Sequence, residues 1–363
     1  SCQNRPVNCY GLWHALWHIG DNQRPAGGRY IAHSAICILG TCYSMIAVGG
    51  ENLIDLVSTS SKEGWPVYIA HPGGSPFNVA MAAGQQGAKS CYLTPISSDK
   101  LGDLLVARLE AAGVMLAGGR SDKRSSLAVV SIEAGIPSYG FYRRDTAERQ
   151  VSTNFLNHIT PDEVQILHLG SAALIDGEDA QAWEAAFVKH HQAGREGAAA
   201  LTSLDPNIRP SLVADADSYR ARVKRMMQHA DILKLSDEDL HWLYPAATLE
   251  EGFEACMRDS KAALTVLTKG ADGIIARASG TPFEIPAHKI DNLVDSVGAG
   301  DTFMASLLVW CNHHQITSRS ALENHSEAQI KQALQRAAIA AALNCQKQGC
   351  QPPSRQEIDL ALG

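Results

Sequence analysis

The run DSVGAGDTF at residues 295–303 sets three near-featureless residues directly before a carboxylate. Gly298, Ala299 and Gly300 carry almost no side chain, so their backbone N–H groups can turn toward one point without obstruction. The stretch that follows, TFMASLLVW, is apolar and suits a helix. The loop therefore falls at a helix N-terminus, where unpaired N–H groups and the macrodipole attract anions. Asp301 stands where loop becomes helix, and that positive field predicts a low pKa. Phosphoryl transfer to an alcohol needs both parts: donors for the charge on the phosphoryl group and a carboxylate for the hydroxyl proton. We therefore expect Asp301 as general base and Gly298, Ala299 and Gly300 as an anion hole. A weak base suffices, because proton removal comes late in a loose transition state. The plainer alternative is a tight turn capped by Asp301.

Other residues fall where strands end. Asp55 follows a short buried strand, and its side chain accepts hydrogen bonds only. Gly73 and Gly74 precede SPFNVAMAAGQQG, which opens a helix with Ser75 as expected N-cap and Pro76 in its first turn. Asn78 in that first turn can both donate and accept. Asp205, Asn207 and Arg209 stand at i, i+2, i+4 after another strand, and Lys234 ends a further one. Lys269 and Gly270 lie in LTKGADG, with Gly273 serving a turn. Arg143 follows two aromatics in a strand, and alternation points Arg144 the other way.

The elements that must position these groups alternate. IAVGG (46–50) is a buried strand, and LIDLV continues extended. CYLTPIS (91–97) reads as one strand, 99–113 as an amphipathic helix, and 125–143 as two strands around a Gly-Pro turn. Then VQILHLG leads to a helix at 178–193, ALTSLDP to one at 213–229, ILKLS to DEDLHWLY, and LTVLTKG to a short strand pair. The final helices are 300–312 and 327–347. Such alternation predicts an α/β fold: a mostly parallel sheet covered by helices on both faces, with ligands at the carboxyl ends of the strands.

DSVGAGDTF closely resembles the C-terminal signature of the ribokinase-like (PfkB) family of sugar and nucleoside kinases. GGENLIDLV (49–57), GGSPFNVAMAAGQQG (73–87), FYRRDTAER (141–149), LDPNIRPSL (204–212), KLSDEDL (234–240), LTKGADGI (267–274) and QKQGCQPPS (346–354) resemble further family segments, in family order. The resemblance covers residues 46–363 and fits the fructokinase branch best. It implies a ribokinase-like fold, ATP, and a sugar acceptor such as fructose. A small β-lid is implied by the strand pairs at about 55–72 and 125–145, and a homodimer through that lid is a possible partner arrangement. Asp55, Gly73, Gly74, Asn78 and Arg143 are the implied sugar contacts, with Arg143 reaching down from the lid. Asn207, Lys234, Lys269, Gly270 and Gly273 are implied on the nucleotide side. The family's Asn-x-x-Glu element, which organises Mg²⁺ through water, stands here as Ser236-x-x-Asp239. Asp295 with the 344–354 loop resembles a monovalent-cation (K⁺) site; its other reading is a tie between the glycine loop and a neighbouring backbone. Kinases of 2-keto-3-deoxygluconate or of nucleosides remain alternatives on this fold, as does a catalytically silent sugar-binding regulator.

Hydrophobic content of 45%, charged content of 19% and a net charge of −7 fit a globular protein and argue against nucleic-acid or membrane-surface partners. Nine cysteines without a CxxC pair read as free thiols of a reducing cytoplasm. Residues 1–44 have no counterpart in the resemblance and read as an extension outside the fold, which then occupies 45–363. Within them His14 and His18 stand at i, i+4, a spacing that two turns of amphipathic helix explain as well as a metal site does.

Overall fold

The computed structural model describes residues 44–59, 65–133, 136–278 and 280–363. The extension through Tyr43, with its histidine pair, and residues 60–64, 134–135 and 279 lie outside the described residues. Ser44, which the sequence puts with the extension, is held from within the fold: its carbonyl and hydroxyl both accept from the Asn312 amide.

The chain begins with β1 (Ile46–Gly49), β2 (Leu53–Thr59), β3 (Val67–Gly73) and α1 (Ser75–Gln85). It continues through β4 (Ser90–Tyr92), β5 (Ile96–Ser97), α2 (Lys100–Ala111), β6 (Met115–Leu116) and β7 (Arg120–Ser121) to β8 (Ser126–Glu133) and β9 (Ile136–Tyr142). Next come α3 (Thr153–Asn157), β10 (Ile166–Gly170), α4 (Gly177–Arg195), β11 (Leu201–Asp205) and α5 (Ala216–Met227). They are followed by β12 (Ile232–Ser236), α6 (Asp237–Leu243), α7 (Leu249–Ser260) and β13 (Leu264–Thr268). The last elements are β14 (Ile274–Arg277), β15 (Phe283–Ile285), α8 (Ala299–His313), α9 (Arg319–Glu323), α10 (Glu327–Cys345) and α11 (Arg355–Leu362).

Among the described residues nine strands form the main sheet, in the order β15-β14-β13-β12-β11-β10-β1-β4-β6. Pairing is parallel from β6 through β13, and only β14 and β15 run antiparallel. The inner strands are buried throughout because helices cover both faces. β1 shows the division: Ile46 and Val48 pack with Phe77, Leu105, Phe303 and Leu334 on one side. Ala47 joins Trp183, Phe187, Val223 and Phe253 on the other. The parallel strands bring Gly49, Gly170, Asp205 and Ser236 to one edge of the sheet.

A second sheet, β3-β2-β8-β9, takes its strands from the two segments that interrupt the alternation. β2 pairs antiparallel with β3 and parallel with β8, so the two segments join in one four-stranded layer.

Two local expectations need correction. CYLTPIS is not one strand: β4 stops at Tyr92 and β5 starts at Ile96. Pro95 has no N–H for a ladder, and the Thr94 hydroxyl donates to the Gly50 carbonyl at 2.6 Å. The helix expected from 213 starts only at Ala216, because Asp215 caps it by accepting the Ser218 N–H at 3.1 Å. No helix among the described residues is long and apolar enough to cross a membrane. Their five cysteines are free, four of them buried.

Candidate active site

Asp301 lies in the first turn of α8 and is buried. Its Oδ1 accepts from the Ser75 hydroxyl at 2.7 Å and its Oδ2 from Asn78 Nδ2 at 2.8 Å. Ser75 therefore does not cap α1; Gly74 occupies that place, and the serine hydroxyl is turned onto the carboxylate. Asn207 Nδ2 donates to Ser75 Oγ at 2.6 Å and approaches Asp301 Oδ1 at 3.5 Å. Asn207, expected on the nucleotide side, thus belongs to the group around the carboxylate, and it holds a positive φ of 39° there. The low pKa expected for Asp301 is overturned. Burial raises it, and the Ser75 and Asn78 donors only partly offset that.

Gly298 caps α8 with φ 76°, and a Cβ there would come 2.3 Å from Cys350 Sγ, so only glycine fits. The first bond of the helical ladder runs from Thr302 N–H to the Gly298 carbonyl. The N–H groups of Gly300 and Asp301 precede it and belong to the open end of the helix. Ala299 N–H closes onto the Ser296 carbonyl at 3.2 Å, so it serves the turn. Gly300 is exposed, and a Cβ on it would stand 3.4 Å from Lys234 Nζ. That ammonium is buried beside the glycine loop and bonded to Asp205 Oδ2 at 2.7 Å. Burial opposes its charge, yet Asp205, Asp239 and Asp301 outweigh burial and raise its pKa.

Asp239 has both oxygens on backbone amides: Oδ2 accepts Ser236 N–H at 2.9 Å and Oδ1 accepts Ile208 N–H at 2.6 Å. It completes a capping box with Ser236 and pins the 206–209 turn. Arg209, at the exposed end of that turn, is electrostatically coupled to both Asp55 and Asp301.

Asp55 lies on β2 opposite His71 of β3. A Cβ on Gly73 would fall 2.4 Å from Asp55 Oδ2, so the glycine makes room for the carboxylate. Burial pushes the Asp55 pKa up to about 6, against the pull of Arg209. Gly74, the next residue, leads directly into Ser75, whose hydroxyl donates to Asp301.

Arg143, expected over the sugar, is held by an acid of its own segment. It is buried and pairs bidentately with Glu148, at 2.8 and 3.0 Å, and its Nη2 also points to the Ala172 carbonyl at 3.4 Å. Strand alternation gives the direction of a side chain but not the acid waiting five residues on. Sequence reasoning also passed over Glu51. This buried carboxylate accepts the Ser75 N–H at 3.0 Å and the Ala172 N–H at 3.1 Å. Burial raises its pKa to about 7, with Arg143 and its donors opposing. Its signal was present: a carboxylate directly after the glycines that end a buried strand, at the ligand-binding edge.

Asp295 acts as a tie. Its Oδ1 accepts Val297 N–H at 3.0 Å and its Oδ2 accepts Gly349 N–H at 2.8 Å. Asn344 adds a second stitch, donating to the Val297 carbonyl at 2.8 Å and accepting Gln351 N–H at 2.9 Å. Lys269, Gly270 and Gly273 form the turn between β13 and β14, where Lys269 Nζ lies 3.5 Å from Glu284.

Among the described residues no three His, Cys, Asp or Glu side chains converge as a direct metal site. The arrangement is a shielded carboxylate at an anion-attracting helix start, with a buried ammonium beside it and a second carboxylate on the neighbouring sheet. Residues 44–357 match the pfkB family carbohydrate kinase. A fructokinase of Rhizobium leguminosarum bv. trifolii is 35% identical over 265 residues, covering 73% of this chain and 78% of that protein. A probable fructokinase-4 of Arabidopsis thaliana is 30% identical over 332 residues, covering 88% and 97%. The crystal structure of a fructokinase with bound ATP from Xylella fastidiosa superposes with a TM-score of 0.78 at 27% identity, covering 88% of this chain and 97% of that one. With this family model over residues 44–357 and these relatives, the chain belongs to the pfkB family of carbohydrate kinases.

Proposed function

We propose that this protein transfers the γ-phosphoryl group of ATP to a hydroxyl of fructose. One observation carries the reading: Asp301 at the glycine loop is hydrogen-bonded to Ser75 and Asn78 at the second glycine junction. The proton acceptor and the sugar-side segment therefore form one site. Asp301 takes the hydroxyl proton, and burial brings its pKa closer to working pH than an exposed aspartate would have. The open end of α8, with Lys234 behind Gly300, faces the phosphoryl charge. Asp55 and Asn78 Oδ1, which has no hydrogen-bond donor among the described residues, supply acceptors for sugar hydroxyls. The β3-β2-β8-β9 sheet acts as the lid that keeps water from competing with the sugar. The nucleotide extends along the strand ends past Lys234 toward the Lys269–Gly273 turn, with Asn207 between it and the base.

The residues present fit a Mg²⁺ ion held by ATP phosphates and water. Asp205 Oδ1 lacks a hydrogen-bond partner among the described residues, and Asp239 is coupled to it. When bound, the ion neutralises phosphate charge. For K⁺, each Asp295 oxygen accepts one backbone amide and keeps a further lone pair, so the loop leaves acceptors for the ion, and no step is assigned to it.

Residues 45–363 form the kinase unit, and a chain cut before Ser44 is expected to keep its activity. Exposed Trp65, Val67, Ile69 and Tyr142 on the lid segments supply apolar surface for a second copy, which light scattering on a Trp65→Ser, Ile69→Ser variant checks.

An ADP-release assay over fructose, ribose, adenosine and 2-keto-3-deoxygluconate tests the reading. Fructose is expected to give the highest kcat/KM. A higher value for the keto-acid would replace the substrate. Sugar binding without ADP release would replace the enzyme with a regulator.

A further inference from the structure

A buried carboxylate that the catalytic proposal does not use is joined to the base through a single shared residue, Ser75. Glu51 is 4% exposed, and its two oxygens are spent on two different backbone N–H groups, those of Ser75 and Ala172. Ser75 is the first residue of α1, and its hydroxyl holds Asp301 Oδ1. Ala172 lies in the turn after β10, where Ser171 adopts a φ of 55°. The Ala172 carbonyl receives Arg143, Arg143 pairs with Glu148, and Glu148 Oε1 accepts the Ser126 hydroxyl of β8 at 2.9 Å. A polar chain thus runs from the second sheet to the base, with Glu51 as its middle link. An ordinary helix start is satisfied by a serine or a water. Burying a carboxylate for that purpose costs free energy unless every bond is made.

We infer that Glu51 is a positioning residue for phosphoryl transfer: by receiving the Ser75 and Ala172 N–H groups together, it fixes the start of α1 and, through the Ser75 hydroxyl, the orientation of Asp301. A glutamine cannot replace it, because its amide nitrogen would meet one of the two N–H donors. The inference rests on Asp301 being the base.

The test compares wild type, Glu51→Gln, Ser75→Ala and the double variant by steady-state kinetics with fructose and ATP. Hydrogen exchange at residues 74–79 accompanies the kinetics and needs no turnover. Glu51→Gln is expected to lower kcat by about 10- to 100-fold with KM for ATP within about twofold, since misplacing a reacting group by ~1 Å costs this much. Because both residues act on Asp301 along one path, the double variant should fall no more than about twofold below the weaker single variant. Exchange at the start of α1 should quicken about tenfold in Glu51→Gln. An unchanged kcat, multiplicative losses in the double variant, or unchanged exchange would each overturn the inference. A wild type that phosphorylates no sugar would instead sink the functional reading and leave the exchange result to decide this one. Should Glu51→Gln not fold, Glu51→Asp keeps the charge facing Arg143 but is too short for both amides. The same kcat loss is expected there, and wild-type kcat would refute the role.

Discussion

Asp301→Asn separates chemistry from folding. Asparagine keeps one acceptor oxygen, which can still receive Asn78 Nδ2, and turns the other position into a donor toward Ser75 Oγ. Ser75 can accept it by rotating its hydroxyl, although it already receives Asn207 Nδ2 at 2.6 Å. The change weakens two charge-assisted bonds, a loss of about 1–2 kcal/mol. It also removes a buried negative charge that burial and Asp205 both disfavour, which offsets part of that loss. Net stability should therefore fall by less than the about 2 kcal/mol that the two bonds represent. The rate behaves otherwise, because no proton acceptor remains: losing a general base costs ~10²–10⁴, which is about 3–5 kcal/mol of barrier. The loop N–H groups are backbone and survive, so ATP affinity by calorimetry should stay within about threefold. An ADP-release assay and a thermal melt decide it. A variant retaining more than about a tenth of wild-type kcat would refute Asp301 as the base.

Asp55→Asn should raise stability near pH 8, because the folded pKa of about 6 lies above the ordinary 3.8 of an aspartate and ionisation in the folded state is costly. The gain, at most about 3 kcal/mol, should shrink as pH falls through about 6 and vanish below about 4, where wild type is protonated too; a pH series of melts reads it. The same variant should raise KM for fructose more than KM for ATP. Arg143→Ala leaves Glu148 buried without its partner and should cost about 3–5 kcal/mol by chemical denaturation; an unchanged midpoint with only a sugar KM effect would restore Arg143 to the substrate. Gly298→Ala meets a φ of 76° and Cys350 Sγ at 2.3 Å, so it should lower both Tm and kcat, and a wild-type melt would contradict the packing described.

What the sequence made legible was whatever is local. DSVGAGDTF spells loop and carboxylate in consecutive residues, and buried strands such as ILHLG show their burial in their own composition. Partners far along the chain were not legible. Nothing near Asp301 announces Ser75, 226 positions away. Glu148 is only five residues from Arg143, but strand alternation does not show that the two will pair. The expected low pKa of Asp301 failed for the same reason: the helix end is local, but the burial that outweighs it is tertiary. Glu51 was overlooked because a carboxylate after two glycines reads as a solvated turn until Ala172, 121 residues later, folds over it.

The bond between Ser75 and Asp301 spans 226 positions of chain, and the stitches from Asp295 and Gly298 wait for residues 349 and 350. During synthesis the sugar-side segment therefore emerges long before the catalytic one. At ~5–20 residues per second the gap between the two is about 10–45 seconds. Throughout that time Ser75 and Asn78 lack the carboxylate they hold in the folded chain. On the proposed function, competence requires the C-terminal stretch that carries Asp301 and the segment that stitches its loop, so a chain that ends before residue 349 is expected to be inert.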